Sequence, residues 1–235
     1  MVTRDIGYRE KIVLIKTLKA LNRFYSLRDL EQMLGVPFQS LWKYINFVGM
    51  PSDEVAEEIL DKLAKLRIVE EILTSEAKKY RTMPQHITSN MGFLELYAIK
   101  LGQEISNKDV DLVIASSVLA APLAILLGQE INADLCLPLP NENIHSDSVK
   151  VLTFFSAYQK KIELLLYPKH CIREKRRTII TDIVAEDANR IESIINMVRS
   201  KEGEVEAIAT VYIGRNVLEV LSQLNLRHSY YIEVL

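Results

Sequence analysis

From Phe93 to the end of the chain, strand-like and helix-like sequence patterns alternate, and this alternation constrains the fold more than any other feature. Runs typical of strands are DLVIAS, DLCLPLP, RTIITDIV, VEAIATVYI and the closing YYIEVL, with VKVLTFF and KIELLLY as two further strands. Runs typical of helices are FLELYAIKLGQEI, APLAILLGQEI, NRIESIINMVRS and NVLEVLSQL. Strands that alternate with helices predict an α/β fold with a doubly wound, mostly parallel sheet.

Residues 1–75 carry only helical patterns and predict a separate all-α domain. Amphipathic stripes lie in YREKIVLIKTLKALNRF, in LRDLEQML, in PFQSLWKYINFVG and in SDEVAEEILDKLAKLRIV. Ser26 is a candidate N-cap, and Gly35 is typical of a helix end. The weakly periodic run that follows holds Pro84 and predicts a linker over residues 76–90, which leaves 91–235 as the second domain.

Composition and charge are those of a soluble globular protein, with 49% hydrophobic and 26% charged residues. A formal net charge of -2 does not indicate a nucleic-acid or membrane partner, although a local patch can still bind one. The apolar run VIASSVLAAPLAILLG is too short and too interrupted to span a bilayer, so we expect no membrane association. The N-terminal run lacks the apolar core of a signal peptide, and two cysteines, Cys136 and Cys171, suggest no disulfide scaffold and no metal site. A cytoplasmic location is therefore expected.

Residues 26–52, SLRDLEQMLGVPFQSLWKYINFVGMPS, resemble a helix-turn-helix of the phage-repressor type. Gly35 would permit the turn, and Val36, Leu41 and Ile45 would pack the second helix across the first. The resemblance implies double-stranded DNA as a partner. The residues expected to contact DNA are Arg28, Phe38, Gln39, Ser40, Trp42, Lys43 and Asn46, with Arg23 near the DNA backbone. Residues 1–50 hold eight Lys/Arg and four Asp/Glu, a local balance of +4 that agrees with this interpretation.

Three points about this segment stay open on sequence alone. Glu31 occupies a position that is normally alanine in the motif, which leaves the spacing of the two helices undecided. Trp42 could equally be a core residue. The whole unit could also be a helical oligomerisation cap whose polar surface binds nothing.

Residues 90–235 resemble the type I phosphoribosyltransferases in the order and spacing of their elements. DLVIASSVLAAPLAILLG lies where that family has a strand, a pyrophosphate loop and a helix, and RRTIITDIVAEDANRIESIINMVRS lies where it has its signature. In the family, paired acids hold the ribose hydroxyls, often near Mg²⁺, and a Thr/Gly-rich loop binds the 5-phosphate. The resemblance implies a ligand site formed by Ser116, Ser117, Thr181, Asp182, Ala185, Glu186, Asp187, Ala188 and Asn189.

The chain departs from the family pattern where phosphate would bind. Thr181 replaces the first acid, and the loop AEDAN has two carboxylates and no glycine. Like charges at about 4 Å cost about 4 kcal/mol per pair at intermediate dielectric, so a phosphate would be repelled. Asp187 and Asn189 could cap the following helix instead. We expect the fold to be kept and transferase activity lost, with no catalytic residue and no metal; Mg²⁺ would be needed only if the phosphoribosyl site functions.

Two alternatives remain for this region: the loop could be a connection that binds no ligand, and residues 140–150 could be either an active-site flap or a plain surface loop.

A helix-turn-helix followed by a phosphoribosyltransferase-like domain resembles the purine operon repressors and related archaeal regulators of nucleotide metabolism. The resemblance implies a homodimeric transcription regulator that senses a nucleotide, nucleobase or phosphoribosyl compound. The alternatives are an active phosphoribosyltransferase that modifies a nucleobase, and a pseudoenzyme whose N-terminal helices bind a protein.

Overall fold

The computed structural model describes residues 6–140, 147–157, 159–226 and 228–235, and within them the chain is mixed α/β. Its helices are α1 (Tyr8–Leu21), α2 (Leu27–Leu34), α3 (Phe38–Ile45), α4 (Asp53–Leu66), α5 (Ile68–Tyr80), α6 (Met91–Ile105), α7 (Ala121–Ile131), α8 (Ala188–Arg199) and α9 (Arg215–Gln223). Short 3-10 helices span Pro84–Ser89, Val118–Ala120 and Lys169–Cys171. Among the helices of the described residues, none has the length and apolar character needed to cross a membrane.

The strands form one parallel sheet and one separate hairpin. They are β1 (Leu112–Ala115), β2 (Asp134–Cys136), β3 (Val149–Ser156), β4 (Lys161–Pro168), β5 (Arg177–Ala185), β6 (Glu204–Ile213), β7 (Ser229–Tyr230) and β8 (Glu233–Val234). The main sheet has the order β2-β1-β5-β6-β7, with β8 also paired to β6, and these pairings are parallel. The predicted mostly parallel sheet is confirmed.

Successive residues of the central strands enter opposite cores, because side chains alternate across a sheet. On β1, Val113 and Ala115 belong to the core that contains α6 and α7. Leu112 and Ile114 belong to the core that contains α8 and α9. Helices therefore cover both faces, as a doubly wound sheet requires. The strand order runs outward in opposite directions from β1 and β5, which creates a crevice at the carboxyl ends of these two strands.

Strands β3 and β4 form an antiparallel hairpin outside the main sheet. Their register runs from Val149 opposite Pro168 to Ser156 opposite Lys161. The hairpin packs on α8, and the buried Tyr167 hydroxyl donates a hydrogen bond of 2.7 Å to the carbonyl of Ala115 at the end of β1. This contact fixes the hairpin beside the crevice.

The region around residues 66–90 differs from the sequence-based expectation. The single helix expected over SDEVAEEILDKLAKLRIV is divided at Arg67, whose φ of 49° ends α4 and starts α5. The segment 76–90, expected as a linker, contains the end of α5 and a 3-10 helix, and Ala77 and Ile87 are fully buried in it. Ala77 and Ile87 share one core with the N-terminal helices and the sheet, so this segment is packed structure. The division into domains 1–75 and 91–235 stays a prediction.

Candidate functional site

The segment that resembles a helix-turn-helix folds as two short helices joined by a tight turn. Ser26 and Asp29 form a capping box at the start of α2: the Asp29 amide donates to the Ser26 hydroxyl at 3.2 Å, and the Ser26 amide donates to the Asp29 carboxylate at 2.9 Å. The Ser26 hydroxyl also donates to the Asp29 carboxylate at 2.6 Å, and this bond together with the one from the Ser26 amide lowers the pKa of Asp29. The helix ends at Gly35, whose φ of 65° is the left-handed conformation that favours glycine. Leu41 and Ile45 bury the inner face of α3.

Glu31 has a specific role in the turn. Its carboxylate accepts a hydrogen bond of 2.9 Å from the amide of Phe38, the first residue of α3. A negative charge at a helix N-terminus is favourable, so Glu31 stabilises the start of the second helix. Lys62 of α4 donates to the carbonyl of Leu34 at 2.7 Å and holds the other side of the turn. The residue that left the helix spacing open on sequence alone therefore joins the two helices.

The outer face of α3 is exposed. Trp42 is 48% exposed and Phe38 41% exposed, so the tryptophan is not a core residue. Gln39, Lys43 and Asn46 are also exposed, as is Arg28 on α2, while Ser40 is half-buried. Asn46 donates its side-chain amide to the carbonyl of Trp42 at 2.8 Å. Arg23, whose guanidinium was expected near a DNA backbone, is ion-paired with Glu95 at 3.0 Å.

A second candidate site is the crevice at the carboxyl ends of β1 and β5. It has a volume of about 190 Å³. The wall includes residues after both strands and residues of the β3–β4 hairpin. Its charged residues are Glu163, Asp182, Glu186, Asp187 and Arg190. Arg190 is ion-paired with Asp182 and Lys161 with Glu163, so among the described residues of the wall Glu186 and Asp187 contribute the excess negative charge.

Asp182 is the best-positioned of the predicted ligand residues. It is 2% exposed, and its Oδ1 accepts hydrogen bonds from the amides of Ile183 at 2.8 Å and Val184 at 3.3 Å. The hydroxyl of Ser117 donates to the same oxygen at 3.4 Å. Ser117 follows β1 and Asp182 lies on β5, so the structure brings these two predicted residues together across the crevice.

The other oxygen of Asp182 is bound by Arg190, a residue that the sequence reasoning missed. Nη2 of Arg190 lies 2.7 Å from Oδ2 of Asp182 and also donates to the carbonyl of Val184 at 3.0 Å. The charge of Asp182 raises the pKa of Arg190. A sequence signal existed, because a basic residue in the first turn of a helix opposes the helix dipole and needs a local reason. The side chain of Arg190 therefore occupies the space beside the buried carboxylate of Asp182.

The loop AEDAN leads into α8 without any left-handed residue, since none of residues 185–189 has a positive φ. Asp187 is the N-cap of α8, and its carboxylate accepts a hydrogen bond of 3.3 Å from the amide of Arg190. Capping by Asp187 agrees with the expectation for that residue. Asn189 lies within the first turn and donates to the carbonyl of Phe155 at 2.8 Å. A helix amide that could bind a phosphate is therefore bonded to a carboxylate of the protein.

Several predicted residues do not meet in the crevice. Thr181 is fully buried and its hydroxyl donates to the carbonyl of Ile114 at 3.3 Å. Ala185 is buried in the core beneath α8. Ser116 is fully buried, and its hydroxyl has no hydrogen-bond partner among the described residues. Ala188 begins α8 and is half-buried. Residues 141–146, within the segment interpreted as a flap or surface loop, lie outside the described residues.

The chemistry available in the crevice is limited. In the part of the chain that the structure describes, no three His, Cys, Asp or Glu side chains are close enough together to hold a metal ion. The arrangement can accept hydrogen bonds and attract positive charge. Repulsion by the carboxylates of Glu186 and Asp187 disfavours a phosphate dianion, because the interaction of each close like-charged pair is unfavourable by several kcal/mol (about 4 at about 4 Å).

Comparison with known proteins identifies the fold. No protein-family model and no curated protein matches the chain. An adenine phosphoribosyltransferase from Thermoanaerobacter pseudethanolicus is 14% identical over 61% of this chain and 81% of that one, with a TM-score of 0.50. The enzyme from Giardia lamblia, complexed with 9-deazaadenine, is 14% identical over 64% and 83%, with a TM-score of 0.50. The enzyme from Trypanosoma brucei, in complex with AMP, pyrophosphate and ribose-5-phosphate, is 10% identical over 63% and 67%, with a TM-score of 0.54. The C-terminal part of the chain thus has the mixed α/β fold of the type I phosphoribosyltransferases.

Proposed function

We propose that this chain is a cytoplasmic, DNA-binding transcription regulator whose phosphoribosyltransferase-like domain has no transferase activity. The observation that carries the proposal is the outer face of α3, which exposes Phe38, Gln39, Trp42, Lys43 and Asn46 beside a turn held by Glu31. Amide side chains can bond base edges, and a lysine can bind phosphate or guanine. Phe38 and Trp42 are four positions apart on α3 and expose a shared aromatic patch, which stacking or groove contact with DNA would use.

The absence of transferase activity is supported by the contents of the crevice. Arg190 is ion-paired with the buried carboxylate of Asp182. The carboxylate of Asp187 accepts a hydrogen bond from the amide of Arg190 in the first turn of α8. Transfer of a phosphoribosyl group requires stabilisation of the charge that develops on the departing pyrophosphate. The carboxylates of Glu186 and Asp187 in the crevice wall oppose that charge.

A sensory ligand would bind in the same crevice. A nucleotide, a nucleobase and a phosphoribosyl compound all remain part of the proposal, and the negative charge of the wall favours the uncharged nucleobase. A thermal-shift screen over adenine and other nucleobases, nucleoside monophosphates and phosphoribosyl pyrophosphate would rank them. The proposal expects a nucleobase to raise the melting temperature more than any phosphorylated compound does.

The second candidate function is an active phosphoribosyltransferase, which the retained Asp182 and its contact with Ser117 favour. The assay is turnover of nucleobases with phosphoribosyl pyrophosphate and Mg²⁺. Formation of a nucleoside monophosphate at a rate that depends on enzyme concentration would reverse the order of the two candidates. No product above the rate without protein is the expected result.

The regulator is proposed to act as a homodimer, since dimers of helix-turn-helix proteins bind two half-sites about one helical turn apart. The outer face of the β3–β4 hairpin supports this with three exposed apolar side chains, Phe155, Ile162 and Leu164. Phe155 is 54% exposed and stands opposite Ile162, which is 68% exposed. Analytical ultracentrifugation should show a dimer that dissociates in the variant Phe155→Glu. A wild-type monomer would contradict the dimer.

The main experiment is a mobility-shift assay of the full chain on DNA from its own promoter. Gln39→Ala and Lys43→Ala are expected to weaken the shift. Lys201→Ala is the matched control, because Lys201 is an exposed lysine that follows α8, in the other domain. If neither α3 variant changes the affinity while wild-type protein binds, α3 is not the reading helix. If wild-type protein binds no promoter DNA, the regulator proposal fails and the alternative of N-terminal helices that bind a protein takes its place.

A further inference from the structure

The chain has only two cysteines, and the fold places them together. Cys136 is the last residue of the edge strand β2, and Cys171 ends the 3-10 helix that follows β4. Strand β2 packs against that 3-10 helix. Cys136 is fully buried and Cys171 is partly buried, and both belong to the core beneath α8. Their separation of 35 positions in the sequence gives no hint of this meeting, so the thiol pair is a product of the fold.

The two thiols differ in exposure, since Cys136 is fully buried and Cys171 is partly exposed. The side-chain interaction with Cys136 lowers the pKa of the Cys171 thiol, and the positive charge of Arg173 lowers it further. The same interaction, together with burial, raises the pKa of the Cys136 thiol. Tyr167 is the neighbouring titratable group, and its hydroxyl is already bonded to the carbonyl of Ala115. A partly exposed thiol with an arginine two residues away, beside a fully buried thiol, is the arrangement of an attacking and a resolving cysteine.

We propose that Cys136 and Cys171 form a reversible redox pair that a hydroperoxide oxidises to a disulfide. The thiolate of Cys171 attacks the terminal peroxide oxygen, the O–O bond breaks, and the alkoxide or hydroxide that leaves takes up a proton. Cys171 is then a sulfenic acid. The sulfur of Cys136 attacks the sulfur of Cys171, the S–O bond breaks, and the departing hydroxide takes the Cys136 proton to form water. Two thiols and one hydroperoxide give one disulfide, one alcohol or water, and one further water. A dithiol reductant reverses the reaction by thiol–disulfide exchange.

The disulfide would act on the crevice through the hairpin. The chain between the two cysteines contains β3 and β4, and this hairpin contributes Ser156, Gln159 and Glu163 to the crevice wall. A covalent bond from the base of the hairpin to β2 would fix that wall against the main sheet. A disulfide also stabilises a protein by restricting its unfolded chain. Oxidation should therefore raise the melting temperature and alter ligand binding in the crevice.

The test uses the full-length reduced protein treated with one equivalent of hydrogen peroxide and then alkylated. Intact-mass spectrometry should show a species that has lost two hydrogen atoms and takes up no alkyl group, and dithiothreitol should restore both alkylation sites. A non-reducing gel should show that this species is a monomer. In Cys136→Ser, dimedone should trap the sulfenic acid on Cys171. In Cys171→Ser, Cys136 should stay reduced.

Several results would overturn the proposal. Two alkylated thiols after peroxide treatment of the wild-type protein would exclude the pair without recourse to any variant. A disulfide found only between two chains would assign the cysteines to an intermolecular contact. A Cys171→Ser protein that consumes peroxide as fast as the wild type would exclude Cys171 as the attacking thiol. An intramolecular disulfide that leaves the melting temperature unchanged would contradict the constraint on the hairpin.

Discussion

At the residue scale, polar groups of the crevice form ion pairs and hydrogen bonds with one another. Asp182 is buried with a guanidinium at 2.7 Å, and the carboxylate of Asp187 accepts the amide of Arg190. The buried acid and the helix amide that could bind parts of a phosphoribosyl ligand thus each have a partner from the protein. A ligand would have to displace these contacts or bind beside them. This internal pairing is the physical reason to expect a sensor or a structural domain in preference to a transferase.

Replacement of Arg190 by alanine should destabilise the protein strongly. Loss of one member of a buried ion pair leaves the other charge uncompensated and typically costs about 3–5 kcal/mol. The free energy of unfolding, measured by urea denaturation, should fall by that amount. Arg215→Ala is the control, since Arg215 is an exposed arginine in the first turn of a helix on the same face of the sheet. An equal effect of the two substitutions would show that the Arg190–Asp182 pair does not stabilise the fold.

Asp187 gives a second, smaller prediction at this scale. Its carboxylate caps α8, and replacement of an N-cap aspartate by alanine costs about 1 kcal/mol. Asn is as good an N-cap as Asp, so Asp187→Asn should keep most of the stability. Thermal unfolding of the two variants beside the wild type measures the difference. Equal loss in both variants would indicate that charge, and not capping geometry, is the important property of this residue.

At the scale of elements, the sequence predicts what local patterns determine. The strand Leu112–Ala115 is a continuous apolar run, the strand Arg177–Ala185 is rich in β-branched residues, and Gly35 with its flanking apolar residues predicts the turn between α2 and α3. Relationships between distant residues are not encoded locally. The approach of Cys136 to Cys171 and the contact of Arg190 with Asp182 follow from how the elements pack. The sequence therefore predicted strands, helices and the Asp187 cap, and not the contacts between distant residues that line the crevice.

Helix α5 shows why one element was missed. Its C-terminal half is the polar run of Glu76, Lys78 and Lys79, and only Ala77 there is buried. A helix that buries one small side chain per turn has a weak apolar stripe and is easily interpreted as a linker. The break at Arg67 was equally hidden, because arginine has no general preference for the left-handed conformation that it adopts.

The exposed face of α3 leads to a prediction about salt dependence. If Lys43 binds a DNA phosphate, its replacement by alanine removes one counterion-releasing contact. The slope of log affinity against log salt concentration should then become less negative by about 0.9. Gln39→Ala should lower the affinity for the specific site and leave the slope unchanged, since a base contact releases no counterion. Affinities measured by fluorescence anisotropy at several salt concentrations separate the two roles. An unchanged slope in Lys43→Ala would show that this lysine binds no phosphate.

At the scale of the whole molecule, the N-terminal helices and the sheet share one apolar core. Leu18 of α1, Leu34 of α2, Phe93 of α6 and Val113 of β1 all belong to it. Two buried tyrosines add hydrogen bonds across it: Tyr97 donates to the carbonyl of Thr210 at 2.6 Å, and Tyr212 donates to the carbonyl of Ala77 at 2.7 Å. The proposed DNA-reading helices are therefore continuous with the domain proposed to sense a ligand. Such continuity is a physical route by which the packing of one part can affect the other.

The two tyrosines predict how the molecule responds to alkaline pH. Burial raises the pKa of Tyr212 to about 12 and raises that of Tyr97 as well. Unfolded tyrosine titrates near pH 10, so the unfolded chain loses these protons at lower pH than the folded protein does. The stability that the two hydroxyls contribute is fully present below about pH 10 and decreases as the pH rises toward the folded values. Urea unfolding at a series of pH values from neutral to alkaline should show this decrease.

The double variant Tyr97→Phe/Tyr212→Phe tests whether these two hydroxyls cause the decrease. Its free energy of unfolding at neutral pH should be lower by about 1 kcal/mol per lost hydrogen bond, and its alkaline decrease should be shallower. Tyr8→Phe is the control, because Tyr8 is 72% exposed and should behave as the wild type. If the free energy of unfolding decreases as steeply with pH in the double variant as in the wild type, other groups cause the decrease. That result would contradict the role proposed for the hydroxyls of Tyr97 and Tyr212.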